Sequence, residues 1–363
     1  MADPPLLKDL VDASSIAGIG EAIARVAPRF DIEAFTNSVF DDSWDERALK
    51  QRIRHVAVRI AEGLDGEYAE KLAILRRATG DLSVTGIPVW CFNDFVEEYG
   101  VGSPEVSLPA LEEFTRLASS EFAVRPFIER YPQRMAAQML EWAANDDPAV
   151  RRLASEGYRP RLPWGMGIPA LKRDPTPVLA VLDLLRNDPD EVVRRSVANN
   201  LNDISKDHPD LVVAVLDRWG ETTPASLRKH ALRTLLKQGH VEAMELLGFA
   251  QNASVVVDGM KVSPPVGKVG ESVSVEFRVR SRSERSERVM VDYAVVFQNS
   301  SGTGSRKVFK GVTTEVSAHD EIQFRRKISL QQMTTRRILP GIHTVEAQVN
   351  GVVHATVGFD VVE

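Results

Sequence analysis

Four residues stand out for the chemistry their types allow. Glu121 lies between Ser119-Ser120 and Phe122, in a segment read as helix, and Glu156 precedes Gly157-Tyr158-Arg159-Pro160, where a helix should end with its last turn exposed. Trp164 follows between Pro163 and Gly165, a setting that does not suit a regular helix-core residue. The fourth, Asp203, belongs to the densest polar run of the chain, from Arg194-Arg195 through Asn199, Asn200 and Asn202 to Lys206, Asp207 and His208. At about 100° per residue, Val193, Val197, Leu201 and Ile204 form the buried stripe of that helix. Arg195, Asn199 and Asp203 then follow one another along the other side, which lets Asp203 face an inner groove. Two glutamates and an indole suit the stabilisation of a developing cation, by charge and by cation–π attraction. Capping and hydrogen bonds between repeats would use the polar run equally well.

Basic residues recur around these positions: Arg151, Arg152, Arg159, Arg161, Lys172, Arg173, Arg194, Arg195, Arg228 and Lys229. They could form a stripe for phosphate, or simply a solvated helix face. Two further basic stretches, Arg278 to Arg288 and Arg325-Arg326-Lys327, suit electrostatic contacts or protection of a sheet edge. Other chemistries lack their signatures. There is no glycine-rich phosphate loop, dinucleotide fingerprint or GxSxG elbow. The single cysteine, Cys91, excludes an internal disulfide and a multi-thiolate site, and the seven histidines include no HExxH, so no metal or other cofactor is expected.

The elements that must position these residues fall into two kinds. From about Leu49 to Phe249 apolar residues recur at three and four, as in Ala110-Leu111-Phe114 and Met135-Met139, the period of helices with one buried face. Asp147-Pro148, Asp188-Pro189 and Thr223-Pro224 read as helix starts, with Asp188 and Glu191 as a capping box. Each introduces a similar phrase. Their basic pairs, Arg151-Arg152, Arg194-Arg195 and Arg228-Lys229, step by 43 and then 34 residues, the length of a HEAT-like helix pair.

Beyond Asn252 the period becomes two, in runs such as Ser272–Val279, Val289–Phe297, Glu321–Leu330, His343–Val349 and Val353–Phe359, separated by stretches such as 299–304 and Leu339-Pro340-Gly341. The expected fold is therefore an all-α HEAT-like repeat solenoid over residues 1–254, followed by an all-β immunoglobulin-like sandwich over 255–363.

With 363 residues, 43% hydrophobic and 26% charged, the chain has the balance of a globular protein of about two domains. No run of 18 apolar residues occurs, and Met1 is followed by Ala2, Asp3 and two prolines. Neither a membrane span nor a secretory signal is expected, and the cytoplasm is the expected location. The net charge of −6 argues mildly against nucleic acid, but it is uneven: about −9 over residues 1–254 and +3 over 255–363.

The segment from Trp164 through Asp174-Pro175, with Asp188-Pro-Asp-Glu-Val-Val-Arg-Arg-Ser-Val-Ala-Asn-Asn-Leu-Asn-Asp-Ile-Ser-Lys-Asp-His-Pro209, resembles DNA alkylation repair glycosylases of the AlkC type. The likeness extends from roughly Asp45 to Phe249, and the β region looks like the immunoglobulin-like module of one branch of that family. The resemblance implies a monofunctional, metal-independent enzyme that removes cationic N3-alkylated bases, 3-methyladenine and 3-methylcytosine, from duplex DNA without moving the base into a deep pocket. It implies Asp203 as the catalytic carboxylate, with Glu121, Glu156 and Trp164 lining the site. Arg151, Arg152, Arg159, Arg161, Arg194, Arg195 and Asn199 are the expected DNA contacts, assisted by the β region. No obligate protein partner is implied. A non-catalytic DNA-binding or protein-interaction solenoid is the competing reading.

Overall fold

A computed structural model of the chain describes residues 6–250, 252–298, 304–333 and 337–363. The reading of the first five residues and most of the 299–304 separator lie outside the described residues. None of the described helices is long and apolar enough to cross a membrane.

Helices run from Ala13–Val26 to Val241–Glu245, so the helical region begins well before Leu49. Four of the described helices carry a side-chain cap at their start. Asp12 and Ser15 form a reciprocal box, and Asp31 accepts from the Ala34 amide at 2.9 Å. Asp147 accepts from Ala149 at 2.8 Å, and Asp190 accepts from Val192 at 2.7 Å. The last cap corrects the expected one: the helix Glu191–Ile204 is capped by Asp190, not Asp188. Asp188 instead accepts the Asp190 amide, as the Asn145 side chain accepts the Asp147 amide, both at 2.9 Å. Asp147 and Asp190 differ in number by 43, so the repeat is reproduced down to its turn chemistry. Thr223 supplies no such cap; its hydroxyl is buried without a hydrogen bond.

The expected stripe of Val193, Val197, Leu201 and Ile204 is buried. So is Trp142, whose indole donates to Glu112 at 3.0 Å. Helix Pro148–Glu156 packs between Pro132–Ala143 and Glu191–Ile204, so each helix buries its apolar face on neighbours close in sequence.

By its internal contacts the chain divides into two compact units. One comprises Met1–Asp207 with Thr222–Leu227; the other comprises His208–Glu221 and Arg228–Glu363. The second holds all the strands among the described residues: β1 (Val255–Ser263), β2 (Val266–Lys268), β3 (Ser272–Ser281), β4 (Glu287–Phe297), β5 (Ser305–Val316), β6 (Glu321–Ser329), β7 (Gly341–Val349) and β8 (Val352–Val362). They form a three-stranded sheet, β1-β3-β6, and a five-stranded sheet, β2-β8-β7-β4-β5, packed through Val275, Phe277, Phe324, Val345 and Phe359. Strands β1, β2 and β5 have no counterpart among the runs expected from alternation. Strand β1 bulges at Gly259, where φ is +64°, and β5 is a mostly exposed edge strand bearing Arg306, Lys307 and Lys310.

Within this second unit the last helical segment is tied to the sandwich. Asn350 donates to the Ala250 carbonyl at 2.7 Å, and the Arg288 guanidinium lies 4.9 Å from the Phe249 ring centroid.

Candidate active site

The site is assembled from three local pieces. Helix Pro148–Glu156 ends at Glu156, and the turn after it carries Arg159; helix Glu191–Ile204 supplies Ser196, Asn200 and Asp203. The third piece, residues 119–124, is a turn and not the expected helix, which corrects the reading of Glu121. The Asn93 amide holds the chain there, donating to the Ala118 carbonyl at 2.9 Å while its oxygen accepts the Ser120 hydroxyl at 2.8 Å.

Charges alternate across these pieces. Arg152 Nη1 donates to Glu121 Oε2 at 2.7 Å, and its Nη2 lies 4.0 Å from Glu156 Oε1. Arg159 Nη1 donates to the same Glu156 oxygen at 2.6 Å. Nε and Nη2 of Arg159 both reach Asp203 Oδ2 at 2.7 Å, and Lys206 Nζ donates to Oδ1 at 3.0 Å. The ladder Glu121, Arg152, Glu156, Arg159, Asp203, Lys206 is balanced, three carboxylates against three cations.

Burial makes it costly to break. Asp203 is 2% and Glu156 6% exposed, so neither lies on the solvated surface expected from helix geometry. The reason is lateral packing: Ser196 donates to Glu156 Oε2 at 2.6 Å, and Asn200 donates to the Ser155 carbonyl at 2.8 Å, closing one helix over the other. Burial pulls the Arg159 guanidinium down, but Glu156 and Asp203 beside it more than compensate and hold it above the usual arginine range.

The structure thus brings Glu121, Glu156 and Asp203 into one network. Trp164 is not hydrogen-bonded or ion-paired to that network. It is 64% exposed on the turn after Arg161, and its φ of +63° is left-handed, a conformation that costs a non-glycine residue about 1–2 kcal/mol. Trp164→Gly should therefore melt no lower than the wild type, because relief of strain offsets the roughly 0.5–1 kcal/mol that glycine costs through chain entropy. Thermal unfolding followed by circular dichroism checks this; a clear fall would mean that the indole packs for stability.

The arginines separate into different roles. Arg151 and Arg194 are repeat equivalents that fasten turns: Arg151 donates to the carbonyls of Asn145 and Asp146, and Arg194 to those of Asp188 and Pro189. Arg151 also pairs with Asp188 at 2.6 Å, whose hydrogen bond lifts its pKa. Arg159 is enclosed in the ladder, and Arg161 pairs with Asp207 at 2.6 Å. Arg195 is exposed and forms no ion pair among the described residues, while Asn199 is half-buried. On the sandwich, Arg278, Arg280 and Arg325 are paired with Asp258, Glu321 and Glu276. Arg282, Arg285 and Lys327 are exposed without an ion pair among the described residues. Lys206 and Ser196 do not stand out as site residues from sequence; both lie in or beside the Asp203 run, at helical spacing from Asp203 or from the repeat that meets it.

Fold and site together define a helical-repeat protein with an enclosed carboxylate–guanidinium ladder and an immunoglobulin-like module. The model of the DNA alkylation repair enzyme family matches residues 118–235, which include every member of the ladder, and that of the YhaZ C-terminal Ig-like domain matches 256–363. The chain is 40% identical to the uncharacterized protein YhaZ of Bacillus subtilis, covering 99% of this chain and 100% of that one. It is 34% identical to the alkylpurine DNA glycosylase AlkC of Pseudomonas fluorescens, solved bound to DNA containing an abasic site analog. That match covers 99% of this chain and 100% of the other, with a TM-score of 0.93. The chain belongs to the DNA alkylation repair enzyme family, in its AlkC type.

Proposed function

We propose that this protein is a DNA glycosylase that hydrolyses the N-glycosidic bond of cationic N3-alkylated bases in duplex DNA. The observation that carries the reading is the ladder around Asp203 in a chain that matches AlkC over its whole length. An N3-alkylated base leaves as a neutral molecule: the bond to C1′ breaks with its electron pair going to the base, and positive charge develops on the deoxyribose. A carboxylate next to C1′ lowers that barrier by charge and accepts the proton of the attacking water as oxygen bonds to C1′. Asp203 Oδ1 suits this role. Its partner is the half-exposed Lys206 ammonium, whose flexible stem can swing into solvent and leave Oδ1 to a cationic sugar. Oδ2 meanwhile stays anchored on Arg159.

Glu156 has both oxygens engaged, which suits it to holding Arg159 rather than touching DNA. Arg151, Arg159 and Arg194 are likewise better assigned to structure than to phosphate; Arg195, Arg161 and Arg152 are the remaining arginine candidates. The exposed Trp164 indole suits contact with a cationic nucleotide from outside the stack, in keeping with a route that does not flip the base.

Of the two lesions, 3-methyladenine has the closer support, because the structural relative is described as an alkylpurine glycosylase. We extend the reading to 3-methylcytosine, and to chemistry by this chain's own side chains without a metal. The test incubates the protein with duplexes carrying either lesion, or a neutral isostere, and measures free base and abasic product. Release from the cationic lesions alone is expected; no lesion-dependent release would defeat the reading, and a DNA-binding solenoid would then fit better.

The sandwich is proposed to add phosphate contacts through Arg282, Arg285 and Lys327. Changing the three to Glu should weaken duplex binding and flatten its salt dependence by roughly 0.9 for each phosphate no longer neutralised. An unchanged salt slope would remove the sandwich from the DNA interface.

A further inference from the structure

We propose that Arg125 is the positioning residue that sets the Trp164 turn against the carboxylate ladder. The inference rests on the reading of Trp164 as a substrate contact. Arg125 opens the short helix Arg125–Arg130, four residues after Glu121, and is 1% exposed. Its Nη1 donates to the Gly157 carbonyl at 2.9 Å, immediately after Glu156. Its Nε donates to the Met166 carbonyl at 2.5 Å, two residues after Trp164. One planar guanidinium therefore joins the segment of Glu121, the helix end of Glu156 and the turn of Trp164.

The turn is moulded on this side chain. A Cβ added at Gly165 would lie 3.3 Å from Arg125 Cδ and 3.1 Å from Leu162 Cδ2, so the backbone beside Trp164 passes directly over the arginine stem. The turn is closed at its base by the Ile168 amide donating to the Pro160 carbonyl at 3.2 Å. The left-handed conformation of Trp164 persists because its surroundings hold it, and the Arg125 side chain reaches the backbone on its C-terminal side.

As a purely structural element Arg125 is poorly chosen. Both its acceptors are carbonyls, and Nη2 is buried with no hydrogen-bond partner. Burial lowers its pKa to about 10, as does the neighbouring Arg159, against the opposing field of Asp203. A rigid fork with two simultaneous acceptors explains why arginine stands here; a lysine cannot span both carbonyls.

The experiment compares Arg125→Met and Arg125→Lys in the full-length protein, each with and without Trp164→Phe, so that subtraction isolates the Trp164 fluorescence. In both folded variants the Trp164 anisotropy of the free protein should fall. Single-turnover base release at saturating enzyme should drop on the order of 10²-fold, while affinity for unmodified duplex is kept. Failure of lysine to rescue either readout separates the fork from mere filling of space. Should the methionine variant not fold, the lysine variant, which keeps charge and stem, decides alone. Wild-type anisotropy in a folded variant would overturn the proposal. Trp164→Ala provides the separate check: release at the wild-type rate would sink the reading of Trp164 itself, whereas the anisotropy still decides what Arg125 does.

Discussion

Asp203→Asn should lose base release by about 10²–10⁴-fold while the protein stays folded. The amide keeps the side chain's size, and its oxygen can still accept from Arg159, which retains Glu156 at 2.6 Å. What disappears is the negative charge that would face the developing sugar cation. The measurement is single-turnover release from a duplex containing 3-methyladenine, with urea unfolding and binding to an undamaged duplex as controls. A folded Asp203→Asn variant that releases base at the wild-type rate would remove Asp203 from the chemistry, and the water and the sugar charge would need another partner.

The second large effect is on stability. Arg159→Met should lower the unfolding free energy of the helical unit by about 3–5 kcal/mol, because it leaves Glu156 and Asp203 buried without the cation they share. Arg161→Met, two residues further on, breaks a partly exposed pair with Asp207 and should cost only about 0–1 kcal/mol. Parallel urea titrations check both. Equal losses would mean that the enclosed ladder is no more tightly bound than a surface pair. Base release should fall with Arg159→Met as well, since Oδ2 of Asp203 loses its anchor.

These contrasts do not follow from the sequence. Arg151-Arg152 and Arg194-Arg195 look alike as pairs, yet the first member of each fastens a turn, while Arg152 reaches Glu121 and Arg195 stays exposed. The first role is legible in principle, since Asp147 and Asp190 recur at the same spacing as the arginines, but the expected cap falls two residues early, at Asp188. Glu121 falls into an expected helix because Phe114 to Phe122 keeps an apolar spacing. The turn there depends on Asn93, a side chain 25 residues before Ala118 whose bonds no local pattern announces. An acidic site needs compensating cations, and Arg152 and Arg159 stand in the sequence only as two of several basic residues expected to contact DNA. The structure places these two, with Lys206, within the site as the compensation.

Local rules are enough for the helices and most strands, because periodicity, caps and turn residues act over a few positions. They are enough, too, to set Asp203 on the same polar run as Lys206 and to mark Trp164 as unsuited to a helix core. Weak alternation at a charged edge strand hides β5 from the same rules. Which charges are enclosed and which are solvated is decided only by the tertiary structure. Arg159 meets Asp203 across 44 residues, and Arg152 meets Glu121 across 31. Desolvation depends on what packs over a group, and helix periodicity alone does not show that the turn after Glu156 brings Arg159 against Asp203.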